Sequence, residues 1–149
     1  MAVTVVEVFL NLWFRVRVEE RKVSGEREAF LKDLAARISI DRKVKQWPQR
    51  YLSKALNFNA GAGAEFIKLK ELRNSIIHFT GSHESIDLGN VTIHGLADTS
   101  EYDALTAVHA SWALQTAEDL VAEVFRLAGL NSEEVSHALH AWAGGVPAS

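Results

Sequence analysis

The feature that most constrains the fold is a long helical periodicity in the last third of the chain. Its apolar positions are separated alternately by three and four residues, and they are Ala107, Ala110, Leu114, Ala117, Val121, Val124 and Ala128. Because an α-helix has about 3.6 residues per turn, this spacing places all seven on one face. A helix with such a face needs other elements packed against it, so the sequence predicts a helical bundle. We expect this helix to span about 100–128 and to end at Gly129.

Shorter segments of the same kind lie on either side of that helix. We predict helices over 24–38, 48–56 and 64–79, and a last helix that begins at about 132. Ser24 is expected to cap the first of these, and either Asn131 or Ser132 the last. Residues 41–45 are expected to form a basic connector. Pro48 is expected at the first position of the next helix, because the residue before a proline avoids helical geometry.

Residues 3–20 fit two patterns. Their many β-branched side chains favour a strand, whereas the length of the segment and the lack of a turn signal before Ser24 favour a helix. We predict a helix. Around Gly89 and Asn90, in contrast, alternating apolar residues are typical of a tight hairpin. The predicted fold is therefore all-α, a five- or six-helix bundle with a small β-hairpin insertion near residues 86–94.

Composition limits the classes of site that the chain can carry. The chain has 149 residues, which suits one domain over 1–149, and we expect the tail over 144–149 to be disordered. It has no cysteine, which excludes disulfides, thiolate metal sites and a cysteine nucleophile. The apolar opening lacks a basic n-region and contains Glu7, unlike a signal peptide, and no stretch is long enough to span a membrane. We therefore expect a cytoplasmic protein with no membrane partner.

Charge is divided unevenly along the chain. Residues 1–78 carry 15 Lys and Arg against 9 Asp and Glu, whereas residues 79–149 carry one arginine, Arg126, against 10 acids. Such a division indicates an anionic partner for the first half. It is equally consistent with two halves that neutralise each other in the fold.

The stretch that suggests chemistry is Glu71–Phe79, where an arginine, an asparagine and a histidine interrupt an apolar helical pattern. At about 100° per residue, Asn74 and His78 lie about 40° apart on one face, whereas Arg73 and His78 lie about 140° apart. A histidine can move a proton near neutral pH, and an arginine can stabilise charge on phosphoryl oxygens. These groups suit metal-independent RNA cleavage by the ribose 2′-hydroxyl.

Arg73-Asn74-Ser75-Ile76-Ile77-His78 resembles the signature of the HEPN superfamily, in which a polar residue follows the arginine and a histidine comes after four to six residues. The spacing alone is weak, because a chain with 9 arginines and 6 histidines shows it about once by chance. The helical, apolar flanks and Asn74 make it informative. The resemblance implies a helical bundle in which Arg73, Asn74 and His78 are catalytic.

The same resemblance implies a metal-independent endoribonuclease that acts as a toxin or defence effector and needs no cofactor. It also implies a homodimer with facing motifs, which would bring an arginine to the distant histidine, and an antitoxin protein as a further partner. Two alternatives remain open. A HEPN-type module can bind a protein or nucleotide without cleaving it, or the bundle is purely structural, with Arg73 paired to Glu71 or another acid and His78 capping its own helix.

A basic cluster with interleaved aromatic residues provides a candidate RNA-contacting surface. Its candidate residues are Arg42, Lys43, Lys45, Arg50 and Lys70. Bases stack on aromatic rings, so Trp47 and Tyr51 are candidates for stacking, although such rings more often belong to a core. His137 and His140 lack further ligands, so we predict no metal site.

Overall fold

The computed structural model describes residues 1–77, 84–87, 92–96 and 107–143, and within these it is a bundle of six α-helices. The helices are α1 (Ala2–Arg21), α2 (Glu26–Ala35), α3 (Ile40–Leu52), α4 (Gly61–Ile77), α5 (Ala107–Leu127) and α6 (Ser132–Trp142). The predicted all-α bundle is confirmed for this part of the chain. No helix among these residues is long and apolar enough to cross a membrane.

Two short strands lie between α4 and α5. They are β1 (Glu84–Asp87) and β2 (Thr92–Leu96), and they pair antiparallel with Ile86 opposite Ile93. The register shifts between Glu84 and Ile86. The predicted turn at Gly89-Asn90 lies outside the described residues, so the hairpin insertion stays a prediction. The tail over 144–149 also lies outside them.

Helix α1 is the central element of the core. Its buried side chains include Val6, Leu10 and Phe14, none of which is measurably exposed. α1 contacts α2, α3, α4 and α5, so one helix contributes to four interfaces. The choice of helix over strand for residues 3–20 is confirmed, because burying one face of a single long helix outweighs the weak preference of β-branched residues for strands.

The first correction concerns α3, which runs unbroken through Pro48. The predicted boundary at Trp47-Pro48 is wrong, and the expected basic connector over 41–45 forms the first turns of this helix. Proline inside a helix removes a hydrogen bond to Val44 and costs about 3 kcal/mol. The compensation is an aromatic cluster, because Trp47 lies 4.8 Å from Phe30 and 5.7 Å from Phe14 between ring centroids. Burying such rings contributes comparable free energy.

Helix boundaries supply further corrections. α2 begins at Glu26 with Gly25 as N-cap in the left-handed conformation, φ 81°, and without a side-chain cap, so the predicted role of Ser24 is wrong. Glycine adopts this backbone conformation without steric cost, which shifts the helix start past the serine. α4 begins at Gly61, three residues before its predicted start.

The end of α5 and the beginning of α6 lie where the sequence predicts them. α5 ends at Leu127, and Gly129 follows with φ 97°. Asn131 caps α6, with its Oδ1 accepting hydrogen bonds from the backbone N–H groups of Glu133 and Glu134. The predicted start of α5 near residue 100 lies outside the described residues. The sequence predicts that other elements pack along the whole apolar face of α5. This is wrong for the first turns of the helix, because Leu114 is exposed and the buried residues begin at Thr116.

Candidate functional site

The candidate motif lies at the C-terminal end of α4. This helix is anchored by Phe66 and Leu69, which are buried, and it packs on α5. Leu72 is half-buried. Burial therefore decreases along the helix towards the motif, which leaves the polar side chains after Leu72 at the edge of the core.

Arg73 and Asn74 are both half-buried, and the structure brings their side chains together. Arg73 Nη1 donates a hydrogen bond to Asn74 Oδ1, with a donor–acceptor distance of 3.2 Å. Consecutive helix residues do not face each other, so the long arginine side chain must turn towards its neighbour to make this contact. The result is a guanidinium that is held in place by a neutral oxygen and keeps its full charge.

No described carboxylate pairs with Arg73, since the described ion pairs all involve other residues. They are Arg17–Glu20, Arg21–Glu26, Arg27–Glu19, Lys43–Glu7, Arg50–Asp33, Lys68–Glu65, Lys70–Asp41 and Arg126–Glu123. Within the described residues, the alternative in which Arg73 is neutralised by Glu71 or another acid is therefore not observed. His78 lies outside the described residues, so its role stays a prediction.

An ion pair fastens the beginning of α3 to α4 one turn before the motif. Lys70 Nζ lies 2.6 Å from Asp41 Oδ1, and both side chains are partly buried. Lys70 precedes Arg73 by three residues and therefore neighbours it along the helix surface. Lys70 is consequently engaged in holding two helices together, and through Asp41 it brings the first turn of α3 to the neighbourhood of the motif.

The other candidate RNA-contacting residues of α3 divide into two groups. Arg42 and Lys45 are exposed and lie three residues apart on the helix surface. Lys43 is 4% exposed, and its Nζ lies 2.6 Å from Glu7 Oε1. Arg50 pairs with Asp33 at 3.0 Å and lies about 12 Å along the helix from Arg42 at about 1.5 Å per residue. Within the described residues, Arg42 and Lys45 are therefore the two cations of α3 that no acid engages.

The two candidate stacking residues belong to the core. Trp47 and Tyr51 are fully buried, and Trp47 Nε1 donates to Asp33 Oδ2 at 3.0 Å. Burial also raises the pKa of the Tyr51 phenol. Neither ring presents a free face to a base. The same Asp33 oxygen accepts from Arg50, so this cluster joins α2 to α3.

No group of three His, Asp or Glu side chains within the described parts of the chain could hold a metal ion. His137 and His140 are exposed on α6.

The sequence did not indicate which of the basic residues form ion pairs with acids and which remain exposed. Asp41 lies 29 positions from Lys70, and Glu7 lies 36 positions from Lys43. No local pattern relates positions so far apart. Arg42 and Lys45 are three residues apart and therefore lie on one side of a helix. That spacing was the one local pattern that could have grouped these two exposed cations.

Comparisons with known proteins add no assignment. No family model matches the chain, and neither the curated proteins nor the solved structures contain a match.

Proposed function

We propose that this protein is a HEPN-type, metal-independent endoribonuclease. The observation that carries the proposal is the state of Arg73, which is half-buried and whose guanidinium is bound by the side-chain oxygen of Asn74 and is not neutralised by any described carboxylate. A cation in that state suits a phosphodiester, because guanidinium N–H groups match phosphoryl oxygens in pairs.

In the proposed reaction, His78 accepts the proton of a ribose 2′-hydroxyl, and the resulting oxygen attacks the adjacent phosphorus. His78 then returns the proton to the leaving 5′-oxygen as its bond to phosphorus breaks, and the product carries a 2′,3′-cyclic phosphate. Arg73 stabilises the negative charge that develops on the phosphoryl oxygens. Asn74 keeps the guanidinium in place through its Oδ1, and its amide N–H groups remain donors for the substrate or the imidazole.

The substrate would approach over Arg42 and Lys45. Both are exposed, and the Lys70–Asp41 pair links the first turn of their helix to α4. The charge division supports this assignment, because each described ion pair joins two residues within 1–78 or two within 79–149. The first half therefore keeps a net positive charge that attracts a polyanion. Lys43 and Arg50 are left out of this proposed surface because acids already engage them.

The proposal includes a homodimer whose two motifs face each other, as the HEPN resemblance implies. In a straight helix the side chains of Arg73 and His78 point about 140° apart. The motif of the second copy would therefore supply the arginine that the histidine of the first copy lacks. We propose a cytoplasmic toxin or defence effector, with RNA as substrate and an antitoxin protein as a second partner.

The decisive experiment is incubation of the purified protein with single-stranded RNA, scored for 2′,3′-cyclic phosphate ends. We expect cleavage by the wild type in the presence of EDTA and none of the all-deoxy strand. His78→Ala should abolish cleavage, and Arg73→Ala should lower the rate about 10²–10³-fold, the cost of losing one oxyanion donor. His137→Ala and Arg126→Ala, exposed residues of the same types, should leave it unchanged. Cleavage that survives His78→Ala would exclude the proposed role of this residue.

One observation favours a second candidate, a non-catalytic HEPN-type module that binds a nucleotide or an anionic partner. The described part of the motif consists of Arg73 and Asn74, whose side chains already contact each other. The Arg73–Asn74 pair could hold a phosphate without any proton transfer. This candidate predicts binding of labelled RNA that Arg73→Ala removes, with no cyclic phosphate ends from the wild type.

A further inference from the structure

A groove lies between α1, α5 and α6. Its volume is about 590 Å³, and apolar side chains line most of it. The lining residues come from these three helices and their ends, so the groove is separate from the Arg73 motif and from the basic residues of α3. Ligand pockets in proteins usually have volumes of about 300–1,000 Å³ and are mainly apolar. The groove therefore has the size and the lining of a small-molecule site.

The groove has a buried floor and an exposed rim. The floor residues Phe9, Ala117 and Val121 are 2%, 5% and 7% exposed and belong to the hydrophobic core. On the rim, Leu114 and Trp142 are 63% and 42% exposed. The Trp142 ring packs edge-to-face on Phe9, with 5.0 Å between the centroids, and this contact joins the rim to the core. Because its floor is part of the core, the groove is formed before any ligand binds.

The charge of the groove favours a cation. Among the described residues that line it, Glu118 is the one charged side chain, and none is a lysine, an arginine or a histidine. Glu118 is exposed and takes part in none of the described ion pairs. Trp142 lines the same groove, and the face of an indole ring attracts cations. Met1 also contributes to the rim, but it is 98% exposed, so solvent screens its amino group.

The length of the groove favours a small ligand over a helix of a partner protein. Its lining residues run from Met1 to Phe9 and from Leu114 to Val121, which corresponds to about 10–12 Å along each helix. That length accommodates only about two helical turns, and helices shorter than about 12–15 residues are marginally stable on their own. An extended alkyl chain of about eight carbons has a similar length, given single bonds of about 1.5 Å.

We propose that this groove binds a small amphipathic amine, a molecule with an alkyl or aromatic body and one protonated amino group. The apolar body lies on the floor formed by Phe9, Ala117 and Val121, where each methylene group that is fully removed from water strengthens binding about fourfold. The ammonium group lies at the rim beside Glu118. The site uses neither Arg73 nor RNA, so it is independent of the proposed ribonuclease.

Titration with octylammonium, octanol and octanoate at low ionic strength tests the proposal. The three compounds have the same chain length and differ in the charge of the head group. Tryptophan emission reports binding because Trp142 lies on the rim, and Trp142→Phe identifies the signal of this residue. We expect saturable binding, with octylammonium bound about two- to fivefold more tightly than octanol, the effect of one exposed ion pair, and octanoate bound most weakly.

Variants separate the contributions of charge and apolar contact. Glu118→Gln should bind octylammonium no more tightly than octanol and leave octanol binding unchanged. Asp119→Asn is the matched control, because Asp119 is an exposed neighbour outside the groove lining, and it should keep the preference. Leu114→Ser should weaken binding of all three compounds. Val108→Ser, which alters an exposed residue of the same helix outside the groove, should not. Circular dichroism of each variant should show unchanged helicity.

Three results would overturn the proposal. The first is a wild type without a saturable response, as expected if a second copy of the chain or residues 144–149 covered the groove. The second is equal binding of the three octyl compounds. The third is a preference for octylammonium that survives Glu118→Gln.

Discussion

The Arg73 guanidinium has five N–H donors, and one of them is used by Asn74 Oδ1. A neutral amide oxygen fixes the position of the cation without reducing its charge. A carboxylate in the same place would make a stronger hydrogen bond but would also cancel the field that a phosphate needs. The choice of asparagine after the arginine therefore has a physical reason under the proposed chemistry.

That reason predicts the effect of Asn74→Asp. The new carboxylate should bind Arg73 and repel the phosphodiester, so we expect RNA cleavage to fall about 10- to 100-fold, equivalent to roughly 1.4–2.7 kcal/mol of transition-state stabilisation. The measurement is the single-turnover cleavage rate at neutral pH. Glu71→Gln, which alters an exposed residue of the same helix, should leave the rate within about twofold. An Asn74→Asp variant as active as the wild type would contradict the assigned role of this pair.

The beginning of α4 shows how one helix is positioned by a backbone contact. Gly63 is buried, and a methyl group at its Cα would collide with the backbone carbonyl oxygen of Asn57. The preceding loop thus passes directly over the helix at a position where no side chain fits. This close approach packs the preceding loop against the first turn of α4.

Gly63→Ala should consequently destabilise the protein. Helix propensity alone favours alanine by about 1 kcal/mol, whereas forcing a methyl group into an occupied space costs typically about 1–3 kcal/mol. Because the colliding atom is backbone, we expect the steric cost to dominate. Urea denaturation gives the free energy of unfolding, and Ala64→Gly reports the propensity effect at the next position. An increase in stability for Gly63→Ala would show that the loop yields easily.

Across the whole molecule, α4 and α5 are joined by a carboxylate that binds two donors. Glu65 accepts from the Lys68 ammonium at 2.6 Å and from Trp112 Nε1 at 3.1 Å. These hydrogen bonds, that from Lys68 first, lower the pKa of Glu65 from its usual 4.5. A carboxyl group whose pKa is lower in the folded state stabilises the fold above its unfolded pKa. That contribution is lost as the pH falls through the folded value.

We therefore expect Glu65→Gln to lower the free energy of unfolding at neutral pH. The difference from the wild type should shrink as the pH falls from about 4.5, where the carboxyl of the unfolded chain takes up a proton, through the lower pKa of the folded state. Urea denaturation at neutral and acidic pH measures both differences. The matched control is Glu71→Gln, a substitution of the same type at an exposed position of the same helix, for which we expect a smaller difference at neutral pH. A Glu65→Gln effect that grows on acidification would contradict this account.

The sequence by itself determined the helical class, the extent of α1, the end of α5 and the two possible caps of α6. Each depends on residues within a few turns of one another, where a period of 3.6 or a single cap is decisive. Arg73 and Asn74 were predicted as site residues from the helical pattern around them and from the family resemblance, and that role stays a prediction.

Only the tertiary structure decided the features that depend on distant residues. Pro48 lies within α3 because Phe14 and Phe30 pack on Trp47. Lys43 is buried and forms an ion pair with Glu7, which is 36 positions away. Long-range contacts of this kind override local preference because burial and ion pairing involve several kcal/mol, whereas propensity involves about one or less. The same contacts distinguish the cations that form ion pairs within the fold from Arg42 and Lys45, which are exposed.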